Sequence, residues 1–211
     1  MDKYAFILHI LYIIAITAEA MTAALSAGRR QMDWVGVFII AWVTALGGGT
    51  IRNILLGHYP MSWVEHPEYL FITAGGAVFA AVIARFMNKL KRLFLFLDAV
   101  GLVVFTIIGC QLAQQLSLPV VIILLSGMIT GCAGGVLRDV LCNDIPLLFS
   151  KEIYAAASII TGAVFVAVQY WGAPVQLAIF IACLAGLTLR LLAIRYEWQM
   201  PRFIYKEDLH L

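Results

Sequence analysis

Charge is scarce in this chain: of 211 residues only 12% are Asp, Glu, Lys or Arg, while 63% are hydrophobic. A soluble domain carries roughly a quarter charged and about half apolar residues, so no ordinary water-facing surface can be assembled from this composition. The net charge of +2 is too small to draw in nucleic acid or another polyanion. Cysteines are few. Cys110, Cys132, Cys142 and Cys183 lie in or at the ends of apolar runs, with no Cys-x-x-Cys spacing and no adjoining His pair, which leaves them as small core residues rather than zinc ligands. His9 and His58 likewise lack a second ligand at metal spacing. Catalytic signatures are missing too: no glycine loop ends in Lys-Ser or Lys-Thr, and neither His-Glu-x-x-His nor Gly-x-Ser-x-Gly occurs. Ser26, Ser126 and Ser158 have no evident base. An enzyme is not expected, nor a cofactor or a bound metal.

What the chain has in abundance is long apolar runs. Candidate membrane spans cover residues 4–27, 34–56, 69–87, 93–111, 119–142, 153–170 and 174–195, each close to the ~20 residues a spanning helix requires. Short segments rich in turn formers or charge separate them, among them Gly28-Arg29-Arg30-Gln31, His58-Tyr59-Pro60 and Asn143-Asp144-Ile145-Pro146. Ala18-Glu19-Ala20 resembles a signal cleavage site, but only Lys3 precedes it as a positive residue and the segment belongs to a repeat. With seven spans, one side receives Arg29, Arg30, Lys89, Lys91, Arg92, Lys151, Arg202 and Lys206, the other little beyond Lys3. Short cytoplasmic loops hold the excess of Lys and Arg, so the N-terminus is expected outside and the C-terminus in the cytoplasm.

The runs are not independent. Gly48-Gly49-Thr50-Ile51-Arg52-Asn53-Ile54-Leu55 is answered by Gly134-Gly135-Val136-Leu137-Arg138-Asp139-Val140-Leu141. The same ungapped offset of 86 residues, the separation of Gly48 from Gly134, aligns Pro60 with Pro146 and Gly76-Ala77-Val78-Phe79 with Gly162-Ala163-Val164-Phe165. Residues 1–87 and 93–171 therefore read as duplicated halves, with 172–196 a seventh span and 197–211 a cytoplasmic tail. Three spans is an odd number, so the second half enters the bilayer from the opposite side. Inverted repeats of this kind are common in transport proteins and place a site near the bilayer midplane between the copies.

Leu46-Gly47-Gly48-Gly49-Thr50 and Thr130-Gly131-Cys132-Ala133-Gly134-Gly135 put glycine deep inside two spans, where each costs about 0.8–1 kcal/mol relative to Ala. Two explanations stand: kinked or unwound helices whose freed carbonyls line a cavity, which is the expectation here, or close helix packing through small residues. Arg52 and Arg138 follow each run by three residues, and a charge at that depth costs at least about 2.5–3.5 kcal/mol on insertion scales. Either they anchor the structure in ion pairs or they line a pathway. Neighbours on a helix do not face each other, so Arg138 is expected to find a partner across helices, in Glu19 or Asp98, rather than in Asp139.

These paired Gly-Gly-Gly-x-x-Arg-Asp-type motifs, set in two three-span halves with a seventh span and with Asp98-Ala99-Val100-Gly101-Leu102 opening the second half, resemble the prokaryotic trimeric intracellular cation (TRIC) channel family. Its bacterial members were long known only as membrane proteins of unknown function. The resemblance runs from about Tyr4 to Arg195. It implies an all-α integral membrane protein forming a homotrimer, with a potassium-permeable pore in each subunit lined by kinked second and fifth spans. It points to Gly47, Gly48, Gly49, Thr50, Arg52, Asn53, Gly134, Gly135, Arg138 and Asp139 as pore-lining or gating residues, with Glu19 and Asp98 as charge partners. Monovalent cations, potassium and also sodium, and membrane lipid are the implied partners, in the plasma (inner) membrane of a prokaryote. Transport of a small amino acid such as glycine is the alternative. The chain departs from the family pattern at Asn53, where the first motif usually has Asp, and at Ala133, where the second copy could have its first Gly.

Overall fold

The structure, a computed structural model, describes residues 3–86, 90–150 and 153–198. Lys89, Lys151, Arg202 and Lys206, four of the charges that set the expected orientation, lie outside the described residues, as does most of the tail. All regular structure among the described residues is helical: α1 (Lys3–Arg29), α2 (Trp34–Leu56), α3 (Ser62–Glu65), α4 (Glu68–Ala84), α5 (Leu90–Gln115), α6 (Val120–Leu141), α7 (Leu147–Ser150), α8 (Tyr154–Tyr170) and α9 (Val175–Tyr196). Five of these are long and apolar enough to cross a membrane. The expected third and sixth spans are shorter, since α4 and α8 each have 17 residues, or about 25 Å at ~1.5 Å per residue, against a hydrocarbon core of ~30 Å. Each follows a single-turn helix, α3 or α7.

Local chemistry sets the ends. Asp33 caps α2 by accepting a hydrogen bond from the Gly36 backbone N–H at 2.7 Å, and Gly57 closes it in the left-handed region at φ 65°. Asn143 takes the same conformation after α6, at φ 55°, while Gln31 and Ser117 do so after α1 and α5. Gly57 and Asn143, and Gln31 and Ser117, are each separated by the 86-residue offset that aligns the two glycine motifs. At that same offset α4 coincides with α8 residue for residue.

Where they pack, α1 and α5, and α2 and α6, run in opposite directions. The Arg29 guanidinium at the end of α1 lies 5.3 Å from the centroid of the Phe94 ring near the start of α5. Where α2 crosses α6, a Cβ on Gly48 would run into the Thr130 carbonyl oxygen, and a Cβ on Gly134 into that of Thr44. Thr44 and Thr130 are themselves equivalent positions, so the contact is self-complementary, as at a two-fold axis. The expected unwinding is absent: α2 and α6 stay helical through both glycine runs. The glycines are there to bring two backbones together. Gly76 and Gly162 serve helix packing within the chain. A Cβ on Gly76 would sit 3.2 Å from Thr17 Cγ2 and one on Gly162 3.0 Å from Cys110 Sγ, both inside the same chain. Gly75 is exposed, with nothing near it.

Candidate functional site

Arg138 projects from α6 into the space between α1, α5 and α8 and is wholly buried. Its Nη1 donates to Asp98 Oδ1 on α5 at 3.0 Å and to Thr22 Oγ1 on α1 at 2.9 Å, and lies 3.6 Å from Glu19 Oε2. The same Glu19 oxygen accepts from the Thr22 hydroxyl at 3.2 Å. Contrary to expectation, Arg138 also reaches its own neighbour: Nε donates to Asp139 Oδ1 at 2.8 Å. The rule that adjacent helical residues diverge holds at Cβ, but a side chain as long as arginine's folds back past it. Asp139 Oδ2 accepts in turn from the Leu147 backbone N–H at 3.0 Å, tying α7 to α6. Phe94 closes the centre, its ring centroid 4.6 Å from the Arg138 guanidinium carbon.

Three further residues complete the centre. Arg190 of α9 is fully buried; its Nη2 lies 4.0 Å from Asp98 Oδ2 and its guanidinium carbon 4.6 Å from the centroid of the Tyr154 ring. The Tyr154 hydroxyl donates to Asp98 Oδ1 at 3.3 Å. Thr22 is the third. An arginine deep in an apolar run is a signal in itself, so Arg190 was within reach of the sequence, whereas Tyr154 and Thr22 carry no such mark. Space for the assembly comes from glycine. Gly101 leaves room for the Glu19 carboxyl, and at Gly135 a Cβ would sit 3.3 Å from the Tyr154 oxygen and 3.5 Å from Arg138 Nη2. Three carboxylates thus meet two guanidinium groups, and Glu19 Oε1, Asp98 Oδ2 and Arg138 Nη2 are buried without a hydrogen-bond partner.

The equivalent arginine in the first half has quite different company. Arg52 is also buried, yet it donates through Nε and Nη2 only to the neutral Asn53 Oδ1, at 2.9 and 2.7 Å. Among the described residues no carboxylate pairs with it. By the offset, Tyr12 stands where the second half has Asp98, and Phe105 lies one offset beyond Glu19. Of the remaining motif residues, Gly47 packs on Leu137 and Gly49 lies beside Arg52. Thr50 donates to the Leu46 carbonyl at 2.8 Å and accepts from Trp63 Nε1 at 3.1 Å.

Among the described residues two cavities adjoin α6. One, of about 770 Å³, lies at the end of the molecule that carries Arg29, Lys91 and Glu197, and reaches inward to Phe94 and Asp139, both in contact with Arg138. The other, of about 210 Å³, is lined by Arg52, Ser126 and leucine and isoleucine side chains of α2 and α6.

The model of a family described as Glycine transporter matches residues 9–85 and again 95–170. The UPF0126 inner membrane protein YadS of Escherichia coli is 37% identical over 198 residues, which is 93% of this chain and 96% of that protein. The TRIC channel orthologue from Rhodobacter sphaeroides is similar in structure with a TM-score of 0.86 at 36% identity, covering 90% of this chain and 98% of its own. A prokaryotic TRIC channel in 0.5 M KCl gives a TM-score of 0.86 at 33% identity, covering 93% of this chain and all of its own.

Proposed function

The chain belongs to the membrane-protein family of the UPF0126 proteins and prokaryotic TRIC channels, and on that premise we propose that it is a passive monovalent-cation channel of a prokaryotic plasma membrane, with potassium its main ion. In this reading seven spans form two inverted three-span repeats, residues 1–87 and 93–171, followed by a seventh span. The N-terminus is outside, and three copies assemble, each with its own route past α2 and α6. The observation that carries it is the surplus of acid in the buried centre: Glu19, Asp98 and Asp139 against Arg138 and Arg190, beside a cavity floored by Asp139. A low-dielectric site lined by carboxylates favours cations over anions. Motif glycines let the two central helices touch, so that Arg138 and Asp139 come close to that cavity.

A carrier of a small amino acid such as glycine is the second reading. The family description favours it. Recording from purified protein in planar bilayers under a KCl gradient separates the two. The channel reading expects unitary current steps reversing near the potassium equilibrium potential. Silent bilayers together with saturable glycine uptake into vesicles would replace it with the carrier.

A further inference from the structure

We propose that Glu19 is a proton-binding site: its carboxyl holds a proton in the arrangement seen here, and that proton sets the charge of the buried centre. Glu19, Asp98 and Asp139 face Arg138 and Arg190 there, and none of the five is more than 5% exposed. Arg52, the other buried arginine among the described residues, stands apart from them at Asn53. A buried charge is tolerated only when it is paired, so two cations support two carboxylates and the third acid is stable in its neutral form. The contacts single out which one. Asp139 accepts from Arg138 Nε at 2.8 Å and from the Leu147 backbone N–H at 3.0 Å. Asp98 accepts from Arg138 Nη1 at 3.0 Å and from the Tyr154 hydroxyl at 3.3 Å, with Arg190 Nη2 4.0 Å from its second oxygen. Glu19 has a longer contact with Arg138, 3.6 Å, and its Oε1 lies in the space a Gly101 Cβ would take, without a hydrogen-bond partner.

Thr22 points the same way. Its hydroxyl stands 2.8 Å from the Glu19 backbone carbonyl and 3.2 Å from Glu19 Oε2, and Arg138 Nη1 donates to it at 2.9 Å. A hydroxyl has one hydrogen to give and two lone pairs with which to accept. With that hydrogen on the nearer carbonyl, the carboxyl contact is filled by a hydrogen on Glu19, and Thr22 then donates once and accepts twice. The ionisable groups around Glu19 come from α5 (Asp98), α6 (Cys132, Arg138 and Asp139) and α8 (Tyr154), with Arg190 of α9 acting through Asp98. Among the described residues α2 and α4, also packed on α1, bring none to it; on α1 itself Tyr12 and Arg29 are about two and three turns away. The larger cavity reaches Asp139, which shares the Arg138 guanidinium with Glu19, so water approaches to within one side chain of the acid. With the proton the centre is neutral. Without it the centre carries one negative charge and draws cations more strongly. This consequence for transport rests on the channel reading above; the proton site itself does not.

The test is infrared spectroscopy of the full-length protein in lipid at neutral pH. The C=O stretch of a protonated carboxylic acid, higher in frequency than the amide band, is expected in the parent protein. Carbon-13 labelling of glutamate should move it and labelling of aspartate should not; the other described glutamates, Glu65, Glu68 and Glu197, are exposed. Glu19→Gln, neutral and of the same shape, should abolish the band. The labelling needs no variant, so it decides the matter even where Glu19→Gln fails to fold. Absence of the band, a band that follows the aspartate label, or one that survives in folded Glu19→Gln would each overturn the proposal. In planar bilayers, selectivity for potassium over chloride should rise from neutral to alkaline pH in the parent and stay flat in Glu19→Gln. An equal rise in both would refute the part the proton plays in setting the charge. Silent bilayers with the glutamate band in place would remove the channel reading and still support the proton site.

Discussion

At the scale of single residues, the buried charges differ from those in the loops by what surrounds them. Replacing Arg138 with Ala removes from Asp98 and Asp139 the guanidinium that both bond, a change that costs about 3–5 kcal/mol. Arg30 bonds Asp144 and the Asn143 carbonyl at an exposed site, and such pairs contribute a median of about 0–1 kcal/mol. Arg138→Ala should therefore sharply reduce the yield of folded protein in size-exclusion chromatography, and Arg30→Ala should not; equal yields would mean that the centre bears no structural charge. Arg190→Gln tests the part α9 plays. Losing one of two cations opposite three carboxylates should raise selectivity for cations over chloride, measured as a shift in reversal potential. The sequence announced most of these residues, because an ionisable group inside an apolar run is conspicuous. It did not announce which would meet. Arg138 Nε turning back to Asp139, and Tyr154 bonding Asp98, depend on helix positions that no spacing along the chain encodes.

Helices and their crossings were legible unevenly. The apolar runs marked the helices closely: the expected second span is α2 and the expected fifth differs from α6 by a residue at each end. Of the two explanations for the glycine runs, close packing is the one the contacts support. Glycine weakens an isolated helix, yet in α2 and α6 it is repaid by contact between backbones, so the helices stay whole. That contact makes a clear prediction. Gly48→Ala or Gly134→Ala drives a methyl group into a carbonyl oxygen of the facing helix and should lower the thermal midpoint, with overpacking costing about 1–3 kcal/mol. Gly75→Ala meets nothing within 4 Å and replaces a mid-helix glycine, so it should leave the midpoint unchanged or raise it, helix propensity contributing up to about 1 kcal/mol of stability. A loss of stability at Gly75 equal to that at Gly48 would refute this account and place Gly75 in contact with another subunit.

For the molecule as a whole, the loop charges predict an outside N-terminus and a cytoplasmic C-terminus. Compartment-sensitive reporters fused to each end check this, and a cytoplasmic N-terminus would reverse the side on which the larger cavity opens. Cross-linking in native membranes should proceed to trimer and stop. That expectation rests on family membership. One feature reaches further back than any of these assays. A contact in which Gly48 meets Thr130 and Gly134 meets Thr44 is one that two identical three-helix chains could make with each other, provided they lay in the membrane upside down relative to one another. The proposed duplication therefore points to an ancestor made as a single short polypeptide that entered the bilayer in both senses. On that proposal, fusion would have fixed one sense for each half, and only afterwards could the two arginines acquire different neighbours.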